Sequence, residues 1–169
     1  LGNVGTTFSG LSGKTKEDFG HGEAKFITYM NVYSNAITNP TMVEPIEIDN
    51  KQKQVEVGDV FFTTSSETPD EVGMSSVLLE KHGPTYLNSF CFGYRLCDKS
   101  LLLPDFSKHL FRSKDMRKQI VLCSSGVTRF NISKKRMEKV NVLIPSLDYQ
   151  RYVANILDKF DALVNDISI

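Results

Sequence analysis

Near its C-terminus the chain repeats one spacing. Apolar side chains recur at Tyr149, Val153, Ile156, Phe160, Leu163 and Ile167, in alternating steps of four and three. Such steps keep a single seam on one side of an α-helix over nearly three heptads, so this stretch is a helix with one apolar stripe. Ser146 is placed to cap it, and Asp148 lies in its first turn, where the helix dipole favours an acid. Two homes for the stripe are open: a partner helix, or the surface of the chain's own domain. The stripe is terminal and starts just behind Pro145, which cannot donate to a ladder and so ends the apolar strand read over 140–144. The terminal position favours the partner helix.

The stretch before that strand is polar, basic and short of bulk: Ser124-Ser125-Gly126-Val127-Thr128-Arg129-Phe130-Asn131-Ile132-Ser133-Lys134-Lys135-Arg136. Net charge over the chain is zero, yet ten of the twenty Lys and Arg residues lie between Lys108 and Lys139, against Asp115 and Glu138, a local formal charge of +8. Attraction for phosphate follows the local field, so a neutral total does not exclude a polyanion. The competing reading is a solvated basic face.

With 169 residues and 40% hydrophobic content, the chain suffices for one ordinary domain with its own core. No apolar run is long enough to span a membrane, and a basic-then-apolar leader is lacking at the N-terminus, so a cytosolic address is expected. Cys91, Cys97 and Cys123 sit among apolar neighbours and read as reduced, buried thiols. His21, His82 and His109 are too scattered for a zinc site. Strands are expected over 25–29, 42–48, 60–64, 76–79 and 89–96, where β-branched and aromatic runs alternate with turn residues. From Pro104 the spacing becomes helical, with Phe106, Leu110 and Phe111, then Met116, Ile120 and Val121, and Ser113 as a cap between the two segments. Ser133 is placed to cap a further short helix over 134–139. The class is α+β: a mixed twisted β-sheet domain carrying a C-terminal helix of coiled-coil type.

Catalytic motifs fall short one by one. Gly13-Lys14-Thr15 ends like a phosphate-binding loop, but Phe8 stands where the leading glycine belongs, and neither a strand before nor an apolar helix after it is in place. Phe8-Ser9-Gly10-Leu11-Ser12-Gly13 misses a methyltransferase cofactor loop by one residue, and Asn39-Pro40-Thr41 lacks the aromatic that holds a flipped base. Pro69-Asp70 and Pro104-Asp105 resemble the start of a nuclease site, but the acid-x-Lys triplets, Glu23-Ala24-Lys25 and Asp49-Asn50-Lys51, precede both. No cofactor and no metal is expected.

Binding features are richer. Reading DNA needs phosphate contacts for position and a few polar side chains that reach base edges. Three segments read as loops with such residues: 6–16 with Lys14 and Lys16, 63–75 with Thr64 and Ser65, and 124–136 with Ser124, Ser125, Thr128, Arg129, Asn131, Lys134, Lys135 and Arg136. Arg129 and Asn131 are flanked by small residues and are the base-reading candidates, although an amide such as Asn131 also serves to close a turn. Lys134, Lys135 and Arg136 read as a backbone-positioning patch.

The order of the last third, with Gly126, Thr128, Asn131-Ile132-Ser133, Ile144-Pro145, Leu147, Gln150 and Ile156-Leu157, resembles the specificity subunit of type I restriction-modification systems. Upstream, Val57-Gly58-Asp59-Val60-Phe61-Phe62 and Val72-Gly73 look like further elements of that family. The resemblance covers nearly all of the chain and about half of a typical subunit, and Leu1 in place of an initiator Met suggests an excised piece. It implies a target recognition domain over 1–146, and over 147–169 the start of a spacer helix that pairs with a second one through the stripe at 149–167. It further implies that the chain reads one part of a split double-stranded DNA target without catalysing anything, beside modification (methyltransferase) and restriction subunits, with self-association through the last helix open. Two other readings stay open: a specificity domain fused to a restriction-methylation enzyme, and a protein-interaction domain whose basic patch meets acidic surfaces.

Overall fold

The computed structural model describes residues 1–48 and 51–167, and within the last helix the side chains of Asn165 and Ile167 lie outside that description. The strands are β1 (Gly5–Ser9), β2 (Phe19–Ile27), β3 (Val43–Ile46), β4 (Val60–Thr63), β5 (Ser65–Ser66), β6 (Ser75–Val77), β7 (Thr85–Leu87), β8 (Cys91–Leu96), β9 (Ser124–Ser125) and β10 (Phe130–Ile132). The helices are α1 (Tyr29–Ser34), α2 (Pro104–Leu110), α3 (Lys114–Leu122), α4 (Lys134–Met137) and α5 (Leu147–Ile167), with single 3-10 turns at Lys16–Asp18 and Pro69–Glu71. The strands form three sheets, ordered β1-β8-β4-β6, β3-β2-β7 and β5-β10-β9. Among the described residues β2–β7 is the parallel strand pair, and an isolated parallel bridge joins Ile37 to Val77 of β6. The expected α+β class holds, and the mixed pairing comes from β2–β7 and that bridge.

The central sheet is antiparallel and carries the largest apolar side chains. Phe62 stacks on Phe92 and meets Phe111 of the α2–α3 corner edge-on, each pair at 5.3 Å between ring centres. Around them Val60, Val77, Leu102, Met116 and Ile120 close the main core. Ser113 caps α3 by accepting from the Met116 N–H, Ser133 caps α4 by accepting from the Arg136 N–H, and Ser146 accepts from the Tyr149 N–H at the start of α5.

Several sequence expectations change. The segment over 6–16 is not all loop: β1 runs through it, because Gly93 has no side chain and lets the Phe8 ring lie flat across β8, where a Cβ would collide with that ring. The first predicted strand stops early, since Thr28 accepts from the Asn31 N–H and starts α1 at Tyr29. The run over 140–144, expected as a strand, joins no ladder among the described residues. Its backbone groups are taken otherwise: the Leu1 nitrogen donates to the Val140 carbonyl, and the Gln119 side-chain amide pairs with both backbone groups of Asn141. With those groups satisfied and Leu143 exposed, nothing draws the run to a sheet edge. Cys97, just past β8, is exposed, whereas Cys91 and Cys123 are buried; all three are free thiols. Burial pushes the Cys91 and Cys123 thiols up, away from reactive thiolate.

Candidate nucleic-acid interface

Strand β10 joins two of the three predicted loops. Asn131 lies opposite Ser65 of β5 on one side and Ser125 of β9 on the other, and the Ile132 N–H donates to the Thr64 carbonyl at 2.8 Å. Directly opposed residues share a face, so Ser65, Asn131 and Ser125 form one polar row across the small sheet, in which Asn131 and Ser125 are exposed and the predicted site residue Ser65 is buried. On the other face Ile132 is buried in the main core, which anchors the row. Ser124 is half-buried, and its carbonyl accepts from Arg136.

The tip between β9 and β10 turns on Gly126, whose φ is +147° and where a Cβ would collide with the Arg129 carbonyl oxygen. Val127, Thr128 and Arg129 are exposed on that tip. The Asn131 amide donates to the Arg129 carbonyl at 3.3 Å, so the turn-closing reading of this residue has a contact behind it. Arg129 also borders an open groove beside α1, where the Tyr29 and Tyr33 rings stack at 6.1 Å. The Tyr29 hydroxyl donates to the Ser65 carbonyl at 2.9 Å, and the Tyr33 hydroxyl donates to Glu71 at 2.7 Å. Hydrogen bonds from Thr68 and Tyr33 hold the Glu71 carboxyl below its usual range. Sequence reasoning missed this wall of the groove, because the expected strand over 25–29 takes in Tyr29 and no helix is read after it; the Thr28 cap followed by Asn31 is the available signal.

The basic segment does not present all its charge here. Arg112 donates to the Ser75, Val32 and Tyr33 carbonyls, and Arg117 to those of Gly73, Asp70 and Val72. Burial lowers the pKa of both guanidiniums. Lys108 pairs with Asp158. Lys135, Arg136 and Arg129 are exposed, whereas Lys134 is half-buried, donating to the Ser9 hydroxyl at 2.7 Å and lying 5.9 Å over the Phe92 ring. Lys14 and Lys16 are not brought to the small sheet. Lys14 pairs with Asp18 at 3.7 Å, and Lys16 opens the 3-10 turn beside β2.

Two motifs behind the family resemblance turn out to be fastenings. Asp59 is fully buried and receives Nε and Nη2 of Arg95 at 2.8 and 2.7 Å as well as the Glu56 N–H, following Gly58 with its φ of +90°. Gln150 is also fully buried: its Oε1 accepts from the Leu103 N–H, and its amide donates to the Leu101 and Pro145 carbonyls, each within 2.9 Å. The Pro-x-Leu-x-x-Gln corner therefore ties the start of α5 to the chain before α2.

Beyond that corner the stripe divides. Val153 packs against the main core and Ile156 is half-buried, while Tyr149, Phe160 and Leu163 are exposed, joined by Tyr152 and Val164. The Ile167 side chain lies outside the described residues. Asp158 accepts from His109 and Lys108 at 2.6 and 2.7 Å, and Asp161 lies 3.9 Å from His109. Among the described residues this is the one cluster with metal-ligand chemistry. It unites a histidine that looked isolated in sequence with two acids, but the Lys108 ammonium already occupies the shared Asp158 oxygen, so its evident work is to clasp α2 to α5. Neither Asp70 nor Asp105 belongs to such a cluster. Of the two acid-x-Lys triplets, Asp49 and Asn50 lie outside the described residues.

The polar row and the hairpin tip with Arg129 thus stand on a fastened apolar scaffold. The family described as type I restriction modification DNA specificity domain matches residues 1–168, and the chain belongs to that family. Among solved structures, the type I restriction-modification S subunit from M. genitalium matches 99% of this chain and 39% of its own at a TM-score of 0.59 and 12% identity. A second, from work on complex assembly and conformational transition of the type I R-M system, matches 99% of this chain and 38% of its own at 0.66 and 17% identity. The chain thus spans under two fifths of the length of these structures, whose likeness is one of fold. No curated protein matches the sequence. Among the described residues no helix is long and apolar enough to cross a membrane.

Proposed function

We propose that this chain is a target recognition domain over residues 1–146 with the start of a spacer helix from Leu147, and that it reads one part of a split duplex DNA target. The observation that supports this most directly is the junction at β10. It sets the exposed Asn131 and Ser125 in one row with the buried Ser65, with Arg129 bordering the groove on the Ser65 side and Arg136 of α4 donating to the Ser124 carbonyl on the Ser125 side. Asn131 and Ser125, exposed polar groups able to reach base edges, thus stand beside cations able to hold phosphate, the division of labour that DNA reading requires. In this reading the domain catalyses nothing and works in the cytoplasm. Methylation and cleavage come from modification and restriction subunits, and the exposed face of α5 meets a second spacer helix, including that of another copy.

Binding of the purified chain to duplex DNA across a salt series tests it. Affinity is expected to fall steeply as salt rises, and Lys135→Ala is expected to flatten the log–log slope by about one unit for every sequence. Arg129→Ala is expected to change sequence preference instead. Salt-independent binding, or heparin and a specific duplex competing equally well at every salt, would remove the DNA-reading assignment.

A further inference from the structure

Resting on that DNA-reading assignment, we propose that Val127 is a specificity residue: the β9–β10 hairpin enters the major groove tip first, and the Val127 isopropyl group packs on the C5-methyl of a thymine. A lone exposed apolar residue is ordinary on a protein surface. Val127 differs by its placement. It is 92% exposed at the very tip of a hairpin, more than any other large hydrophobic residue described. Gly126 at +147° sharpens the turn, and the Asn131 amide closes it from below, so the tip is held rather than loose. Thr128 and Arg129 follow at once, both exposed, and the cations of α4 come directly after β10.

The geometry suits the ligand. A major groove of about 12 Å admits an element as broad as a two-stranded ribbon, and the tip over 126–129 lies beyond the residues of β10 that pair with β5 and β9; the apolar group the groove displays is the thymine methyl. An isopropyl group offers no hydrogen bond to any base edge, so it discriminates only through that methyl. Arg129, two residues on, supplies the donors that a neighbouring guanine accepts.

Selection of randomised duplexes tests this, with one pool synthesised with thymidine and one with deoxyuridine, which pairs alike but lacks the methyl. Wild-type chain is expected to enrich a motif from the thymidine pool and to lose preference at one A·T position in the deoxyuridine pool. The loss is about fourfold, the worth of one buried methyl-sized group. Val127→Ser is expected to lose that same position in the thymidine pool and to be indifferent to deoxyuridine. Its melting temperature should match wild type, since the side chain touches little of the fold. A motif that Val127→Ser leaves unchanged removes the role of the tip while leaving the DNA reading of the domain intact. A uniform loss at all positions makes Val127 a general contact and also defeats the proposal. No enriched motif for wild type removes the DNA reading itself, and this inference with it.

Discussion

Arg117 and Arg129 come from the same basic segment and end in opposite surroundings. Arg117 lies under the turn over 69–73 and donates to three of its carbonyls, while Arg129 stands in solvent on the hairpin tip. Arg112 repeats the first pattern beneath α1 and β6, and Lys135 and Arg136 repeat the second on α4. A charge tally along the sequence treats these residues alike. The fold shows that a guanidinium, with five donors in a planar fork, is as useful for gathering backbone carbonyls as for gathering phosphates. What separates the two uses is whether apolar neighbours close over the side chain. The inner cations also serve the outer ones indirectly, because the turn that Arg117 holds leads back through Ser66 to the row that Asn131 completes.

Removing one residue of each kind breaks the comparison most sharply. Arg117→Ala is expected to cost about 3 kcal/mol, because charge-assisted hydrogen bonds are lost and partly buried carbonyls are left unpaired. Arg117→Lys keeps the charge without the fork and is expected to recover only part of it. Arg129→Ala is expected to fall within about 0.5 kcal/mol of wild type. Urea denaturation midpoints measure all three, and equal shifts for Arg117→Ala and Arg129→Ala would mean that burial does not sort these cations.

The two halves of α5 pose the same question with apolar residues. Gln150→Ala removes three hydrogen bonds inside the fold and is expected to cost about 2 kcal/mol, with the start of the helix coming loose from 101–103. Phe160→Asp with Leu163→Asp changes only exposed positions and is expected to leave the melting temperature nearly unchanged, while abolishing any association through the helix. Sedimentation velocity beside thermal melting separates the two effects. A collapse of the fold in the double variant would place the whole helix in the domain core.

How much of this was legible in the sequence depends on what each element leans upon. Runs such as Val60-Phe61-Phe62 announce a strand by composition, and β4 lies where it was expected. By contrast β1 sits in a glycine-rich stretch and is a strand because β8 is there to pair with it, a long-range fact with no local signature. The run over 140–144 errs the other way: its composition suits a strand, but no edge is offered to it. At the site, Ser65, Ser125, Arg129 and Asn131 were legible singly as polar residues in short loops. Their meeting across β10 was not, because two-residue strands carry no periodicity to read. Val127 carries no signal of its own within the polar run over 124–136, and only the hairpin gives it a position that matters. Asp59 and Gln150 were visible as motif residues, but their burial with partners far along the chain belongs to the fold alone.

The smallest effect should come from the clasp between α2 and α5, where the sign with pH is fixed by Asp158. Burial acts as the largest single influence and pushes its carboxyl up, but hydrogen bonds from Lys108 and His109, together with their charges, outweigh it and leave the carboxyl below its ordinary 3.8. A carboxyl with a depressed folded-state pKa adds stability that is fully present above the ordinary value and is lost as pH falls through the lowered one. Asp158→Asn is therefore expected to be less stable than wild type near neutral pH, and the difference should shrink as pH drops below about 3.8. Because the carboxyl is partly exposed, the gap at neutral pH should lie in the lower part of the range of about 0.2–1 kcal/mol found for solvent-screened pairs. Melting of both proteins at about pH 6.5 and at about pH 3 reads the gap directly, if the fold survives the lower value. A gap of the same size at both would show that Asp158 holds α5 by its shape, and that the charges of Lys108 and His109 contribute nothing to the clasp.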